Sequence, residues 1–273
     1  MTQPRAPSPA AGALAGKRLM VATPMYEGMC HALYTRGLVE LALRCREAGV
    51  DLRLNLITNQ ASIAHARAYI AGAFQQSDCD HLMMIDADIG FAANDVLALL
   101  ELQSLDGREV IGAAYPHKRV DWDRVGAAAR ADAALPLPRM ASPLTVNLAD
   151  GEGELRLDCP QAVNELAGGF LMVSRTAIAQ LTATHPDLSF TPSPEARRAF
   201  GLGERVHALF DTFIDQNGDY LSEDHAFCRR VRAAGLQVWL VPWIELAHVG
   251  NMTFSGSIPE IARFAAILSN AET

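Results

Sequence analysis

The chain is short of cysteine, of long apolar runs and of positive charge, and each shortage excludes a class of protein. Its five cysteines stand at 30, 45, 79, 159 and 228. The count is odd and no pair has Cys-x-x-Cys spacing, which argues against a zinc ribbon and a disulfide framework. A reducing compartment, the cytoplasm, is the expected home. No apolar run reaches the roughly 18 residues of a spanning helix. The opening "MTQPRAPSPAAGALAG" lacks the continuous apolar core of a signal peptide, and residues 1–16 read as a disordered tail. The expectation is a soluble protein, with peripheral membrane contact left open. Acidic residues outnumber basic ones by 31 to 23, for a formal charge of −8. With no basic run, nucleic acid is not an expected partner. An anionic ligand needs a local basic spot or a bridging cation.

Several familiar motifs are missing too. "GALAGKR" has one residue too few between its glycines for a phosphate-cradling loop and no Ser or Thr after Lys17. "GLGERV" lacks a third glycine and follows no strand. "DQNGD" puts its glycine at the wrong place for a calcium loop. There is no Gly-x-Ser-x-Gly elbow.

What is present is a core and an alternation. Half of the 273 residues are apolar, enough for one large α/β domain. "KRLMVATPMYEG" reads as a strand, and "CHALYTRGLVELALRCREAG" as a helix stopped by Gly49. "VDLRLNLIT" alternates like a strand. "SIAHARAYIAGAFQQS" carries Ile63, Ala66, Ile70 and Phe74 at helical spacing. "HLMMIDAD" is a third strand, "NDVLALLELQSL" a helix with Asn94 as cap, and "EVIGAAYP" a fourth strand. This order predicts a mostly parallel central sheet flanked by helices, with ligands outside the carboxyl ends of the strands. Thr23-Pro24-Met25-Tyr26, Asp86-Ala87-Asp88 and Tyr115-Pro116 fall at those ends.

The second half is more irregular. Residues 121–160 are rich in Ala and Pro, with a hairpin expected around "ADGEGE". "NELAGGFLMVSR" is a strand after a glycine pair. Residues 183–219 read as a long mobile loop. "SEDHAFCRRVRAAG" is a helix capped by Ser222, "LQVWLVPWIELAH" a closing strand, and "SIPEIARFAAILSN" a helix with a Ser257–Glu260 capping box. No linker splits residues 17–273, which read as one domain, with a regular first part, 17–120, and a more irregular second, 121–273, that includes the C-terminal helix.

The chemistry concentrates at "MMIDADIGF". If the strand continues, Asp86 and Asp88 project to one face, and small Ala87 leaves room between them. Two carboxylates side by side repel unless a cation lies near, and hard oxygen ligands suit Mg²⁺ or Mn²⁺. The bland alternative is a solvated strand end. His248, ending the last strand, is a candidate third ligand that favours Mn²⁺, or an ordinary structural histidine. Glu223 and Asp224 suit the first turn of a helix by its dipole, and either is equally a candidate general base. Lys118 and Arg119 at a strand exit either steady a leaving diphosphate or simply solubilise a loop, and Arg67 is similarly open. Gly168-Gly169 permits close backbone approach to a ligand, or marks a bulge.

The ordered set "VATPMY", "MMIDADIGF", "VIGAAYPHKR", "AGGFLMVSR", "YLSEDHAFCRRVRAAG" and "HVG", spanning about 18–255, resembles the metal-dependent GT-A-fold glycosyltransferases. Within them it is similar to the bacterial and large-virus branch whose acidic motif reads Asp-Ala-Asp. The resemblance implies a Rossmann-like nucleotide half continuous with a smaller β/loop acceptor half. It implies a nucleotide-diphosphate sugar donor, UDP-linked by preference, Mn²⁺ or Mg²⁺, and a glycan or lipid-linked glycan acceptor. By the same resemblance Thr23, Pro24 and Tyr26 hold base and ribose. Arg67, Ala87, Lys118 and Gly169 border the donor, Asp86 serves ribose and metal, and Asp88 and His248 bind the metal. Asp224, beside Glu223, is the base of an inverting transfer. Residues 121–160 carry no family signature, so the acceptor contacts are open. Two rivals remain: a metal-dependent nucleotidyltransferase, and a nucleotide-sugar-binding protein without activity. The first predicts a Gly- and Lys-rich loop after the first strand, where "TPMYEGMCH" has one Gly and no Lys.

Overall fold

The computed structural model describes residues 12–131, 136–144, 146–149, 154–250 and 253–271. The first half follows the expected alternation: β1 (Arg18–Met25), α1 (Ala32–Ala48), β2 (Asp51–Thr58), α2 (Ile63–Gln76), β3 (His81–Ile85), β4 (Ile89–Gly90), α3 (Ala93–Asp106) and β5 (Val110–Gly112). Then come α4 (Trp122–Arg130), α5 (Leu137–Met140), β6 (Asn147–Leu148), β7 (Gln161–Glu165), β8 (Phe170–Ser174) and α6 (Arg175–Thr184). The remainder is β9 (Ser189–Phe190), α7 (Pro194–Phe200), β10 (Val206–His207), β11 (Phe213–Ile214), β12 (Tyr220–Leu221), α8 (Glu223–Ala233), β13 (Val238–Leu240), β14 (Leu246–Val249), β15 (Thr253–Gly256) and α9 (Ile258–Ala271).

One sheet of eight strands, in the order β2-β1-β3-β8-β5-β13-β7-β6, forms the centre. The pairs β1/β2, β1/β3 and β5/β13 are parallel, whereas β8 runs against both neighbours and β7 against both of its own. Six of the eight strands therefore point one way. The fold is α/β with a mostly parallel sheet, and β8 is an antiparallel insertion at its middle. A parallel sheet needs apolar cover on both faces, and the alternation of side chains supplies it. Leu82, Met84, Leu171 and Val173 face a layer built on Ile70, Phe74, Phe227 and Val231. Met83, Ile85, Phe170 and Met172 face a layer built on Leu41, Val96, Leu99 and Leu100. Each such fully buried side chain contributes about 1.5–3 kcal/mol, which explains why β3 and β8 have no polar residue between their ends.

A smaller sheet, β15-β14-β4, stands beyond the end of β3. Ala247 pairs with Gly90 and His248 with Ile89. This pairing ties the stretch after Asp88 to the strand that carries His248.

Four expectations need correction. Residues 12–16 are not a free tail: Gly16 N–H donates to Gly49 O at 2.8 Å, and Leu14 is buried with Leu19 and Leu41. Residues 1–11 lie outside the described residues. Helix α3 begins after Ala92 with no side-chain cap, so Asn94 sits within its first turn. Residues 183–219 are not one long loop, since they hold α7, the antiparallel pair β9/β10 and β11, which pairs with β12 just beyond. The expected closing strand is two strands, β13 and β14, in different sheets; the turn through Pro242 and Trp243 divides them, because proline cannot donate to a ladder. The expected hairpin of 149–154 has its arms in β6 and β7, while 150–153 lie outside the described residues.

Candidate active site

Asp86 and Asp88 do not share a strand face. The strand stops at Ile85, and Ile89 N–H donates to Asp86 O at 3.0 Å, closing a turn over 86–89. The alternation rule holds only for extended backbone, so it does not apply across this turn. The two carboxylates part company.

Asp86 turns inward to Arg67. The Arg67 Nη2 donates to both Asp86 oxygens, at 3.0 and 3.1 Å, and Nη1 donates to Gly168 O at 3.0 Å. Arg67 is fully buried in the middle of α2. Burial works against its charge, and Asp86, Tyr115 and Glu223 outweigh it, so its pKa lies above the ordinary value. Glu223 Oε1 lies 3.7 Å from Arg67 Nε, an atom that is buried without a hydrogen-bond partner. Burial raises the Glu223 carboxyl, the neighbouring Asp224 raises it further, and Arg67 draws it back.

The glycine pair lets the 166–169 loop cross this group. A Cβ on Gly169 would stand 2.6 Å from Asp86 Oδ2 and 2.6 Å from the Tyr115 hydroxyl, and one on Gly168 would stand 3.1 Å from Arg67 Cζ. The close approach of Gly168-Gly169 is to side chains of this chain, where the sequence suggested a ligand or a bulge.

Asp88 faces outward. It forms an ion pair with Lys118, and its Oδ1 lies 3.6 Å from His248 Nε2. His248 Nδ1 lies 2.8 Å from Pro116 O. A carbonyl only accepts, so Nδ1 carries the hydrogen and Nε2 presents its lone pair. Burial pushes the imidazole pKa down, which keeps the ring neutral at physiological pH. Tyr115 packs edge-on against this ring, with centroids 4.9 Å apart, and accepts from Gly169 N–H at 3.2 Å. Asp88 has the Lys118 ammonium as its partner, and the His248 lone pair faces the same carboxylate. A ring nitrogen whose partner nitrogen donates to a backbone carbonyl is also how histidine is oriented towards metals. A carboxylate oxygen and an imidazole nitrogen are donors of a kind that suits a divalent ion. Asp86, committed to Arg67, is not drawn in, and among the described residues no three His, Cys, Asp or Glu side chains are gathered for a metal.

Two cavities flank the turn. One of about 520 Å³ is lined by Pro24, Tyr26, His31, Ile63 and Asp86–Asp88. The other, about 270 Å³, is lined by Tyr115, Lys118, Glu165, Asp224, His225 and His248. Asp224 thus opens on the second cavity, its Oδ1 accepting from Ser222 Oγ and from His225 N–H, while Glu223 looks inward. Thr23 is corrected: its hydroxyl is buried and bonded to Tyr34 Oη at 2.6 Å, facing away from the cavity that Pro24 and Tyr26 line. The sequence reading overlooked Glu165 and His225. Their signal was position alone, Glu165 at the end of β7 three residues before the glycine pair and His225 one residue beyond Asp224.

No family model and no curated protein matches the chain. Among solved structures, A197 from STIV matches at 14% identity over 85% of this chain and 86% of that one, with a TM-score of 0.47. GalNAc-T7 with UDP, GalNAc and Mn²⁺ matches at 12% identity over 86% of this chain, also with a TM-score of 0.47. The match spans 43% of that second chain, less than half its length.

Proposed function

We propose that the protein is a glycosyltransferase that moves a sugar from a nucleotide-diphosphate donor, UDP-linked by preference, to a hydroxyl acceptor with the help of a divalent cation. One observation carries this reading. Asp88 and His248 Nε2 face each other 3.6 Å apart at the carboxyl edge of the sheet, between a larger and a smaller cavity.

In this reading the labour divides between the two cavities and the turn between them. The cavity with Pro24, Tyr26 and Ala87 takes the nucleotide, with the exposed ring of Tyr26 offering an apolar face to the base. Asp88 and His248 would hold Mn²⁺ or Mg²⁺, the imidazole favouring Mn²⁺, and such an ion would supply Lewis-acid stabilisation to the charge on the leaving diphosphate. Lys118 exchanges its pairing with Asp88 for the phosphates and adds a second positive charge. Asp86 keeps Arg67 in place behind the turn, and Gly169 lets the wall approach. Asp224 takes the proton of the acceptor hydroxyl entering the smaller cavity, so the transfer inverts the anomeric centre. In this reading 17–120 supply the donor side and 121–273 the acceptor side of one domain.

The test is thermal stability with UDP and UDP-sugars, with and without Mn²⁺. Ligand at 100 times its Kd adds about 2.7 kcal/mol, a shift of several degrees. The expected shift needs metal and vanishes in Asp88→Asn. A shift of equal size without metal, or one preserved in Asp88→Asn, overturns the assignment.

A further inference from the structure

We propose that a separate cavity at the start of α2 is a carbohydrate subsite for an uncharged or amine-bearing sugar unit. It measures about 400 Å³, and its lining includes Ser62, His65, Asp187, Ser189, Phe190 and Asp211. One wall is aromatic. The exposed His65 ring lies 4.3 Å from Tyr69 and 5.9 Å from Phe190, centroid to centroid, and Tyr69 leans in turn on Phe200 at 5.4 Å. The ring is thus backed by the interior while its outer face meets solvent. Such a surface suits the C–H face of a pyranose.

The other walls are polar and braced. Arg205 donates to Ser189 Oγ and Ser189 O, both at 2.8 Å. The buried Arg230 donates to Leu209 O at 3.0 Å and Asp211 O at 2.6 Å. Asp187 and Asp211 are exposed, and as ionised carboxylates they only accept. Sugar hydroxyls and ammonium groups supply the matching donors. Among the described residues no Lys or Arg lines the cavity; Arg205 and Arg230 stand behind its wall, so an acidic sugar meets the two carboxylates first.

Position gives the subsite its use. Ile63 lines the larger cavity beside Asp88, and Ser62, Ala64 and His65 line this one. The two cavities thus share the first turn of α2. A glycan bound here is a remote unit of the acceptor chain; that role rests on the glycosyl-transfer reading, whereas the binding itself does not.

The experiment follows the His65 ring signals by NMR in the full-length protein during titration with three disaccharides. These are chitobiose, its fully de-N-acetylated diamine, and digalacturonate. The His65 signals are expected to shift with chitobiose or the diamine and not with digalacturonate. The surface change His65→Ala, with binding measured by calorimetry, should weaken it about two- to tenfold, the range of one aromatic contact. Asp187→Asn with Asp211→Asn should remove the discrimination against digalacturonate. No shift with either non-acidic sugar, equal binding of digalacturonate by the unaltered protein, or undiminished binding by His65→Ala overturns the subsite. The titration repeated in Asp88→Asn separates the two readings. Unchanged sugar binding is expected there, whatever becomes of the metal-dependent donor response.

Discussion

At the scale of single residues, the site depends on what side chains are denied as much as on what they provide. Gly169 has no side chain because Asp86 and Tyr115 occupy the space a methyl would need, 2.6 Å away on each side. Asp86 cannot give way, since both its oxygens are held by Arg67. Gly169→Ala should therefore destabilise by about 1–3 kcal/mol, the cost of overpacking, read as a lower Tm in thermal unfolding. Gly126 is the contrast. It lies inside α4, where a Cβ meets only the flexible end of Arg130 at 3.4 Å. Gly126→Ala should stabilise by about 0.5–1 kcal/mol through helix propensity. Opposite signs from one substitution type would show that close packing, and not backbone entropy, governs position 169. At this scale the sequence was readable where residue type announces chemistry. Asp88 and His248 lie close together, as an acidic strand end and a late histidine suggested, whereas Asp86, expected beside them, turns to Arg67. Thr23 was misread because its direction depends on Tyr34, eleven residues away, and nothing near Thr23 announces that partner.

At the scale of elements, patterns of burial were easier to read than directions. The continuous apolar run of β3 and the mixed spacing of α2 gave their type at once. Helix α2 is buried on every side from Ala66 to Phe74, because β1, β10 and α6 pack around it. That β8 runs antiparallel between β3 and β5 was not legible, since a fully buried strand reads the same in either direction. The turn after β3 was missed for a related reason: "DADIG" continues the strand pattern, and only the hydrogen bond from Ile89 to Asp86 bends it away. One buried polar pair joins strand to helix. His81, the first residue of β3, meets Gln103 of α3, with Nδ1 and Oε1 2.5 Å apart. Burial lowers the His81 pKa, against a smaller raising effect of Gln103. The folded state therefore keeps this ring neutral at a pH where the unfolded chain takes a proton. Stability from this group is present above the ordinary histidine value of about 6.5 and is lost as pH falls through it. Burial also lowers His207 and His248, which act in the same direction. The Tm should fall between pH 7.5 and 5.5, and the fall should be smaller in His81→Gln. An equal fall in both proteins would remove His81 from this account.

At the scale of the whole molecule, Arg67 is where distant parts of the chain meet. Its guanidinium touches the turn after β3 through Asp86, the loop before β8 through Gly168 O, and the first turn of α8 through Glu223. Two of these segments come from beyond residue 120, so one buried cation couples the donor-side and acceptor-side parts of the proposed site. Neither Ala-rich α2 nor the glycine pair revealed this on its own, because the fork of Arg67 acquires meaning only once the sheet brings positions 86, 168 and 223 together. Desolvation makes such a cation costly, and only good geometry offsets that cost. Removing one partner alone should then be expensive. Arg67→Leu leaves Asp86 half-buried and unpaired and should cost about 3–5 kcal/mol. Arg67→Lys keeps the charge but loses the planar fork that serves Asp86 and Gly168 together, so it should recover only part of that loss. Adding Asp86→Asn to Arg67→Leu removes the stranded carboxylate, and the double variant should be more stable than the sum of the single losses predicts. The measurement is a double-mutant cycle by urea unfolding. Strict additivity would mean that Arg67 and Asp86 contribute independently, and the link between the two sides of the site would then have to lie elsewhere.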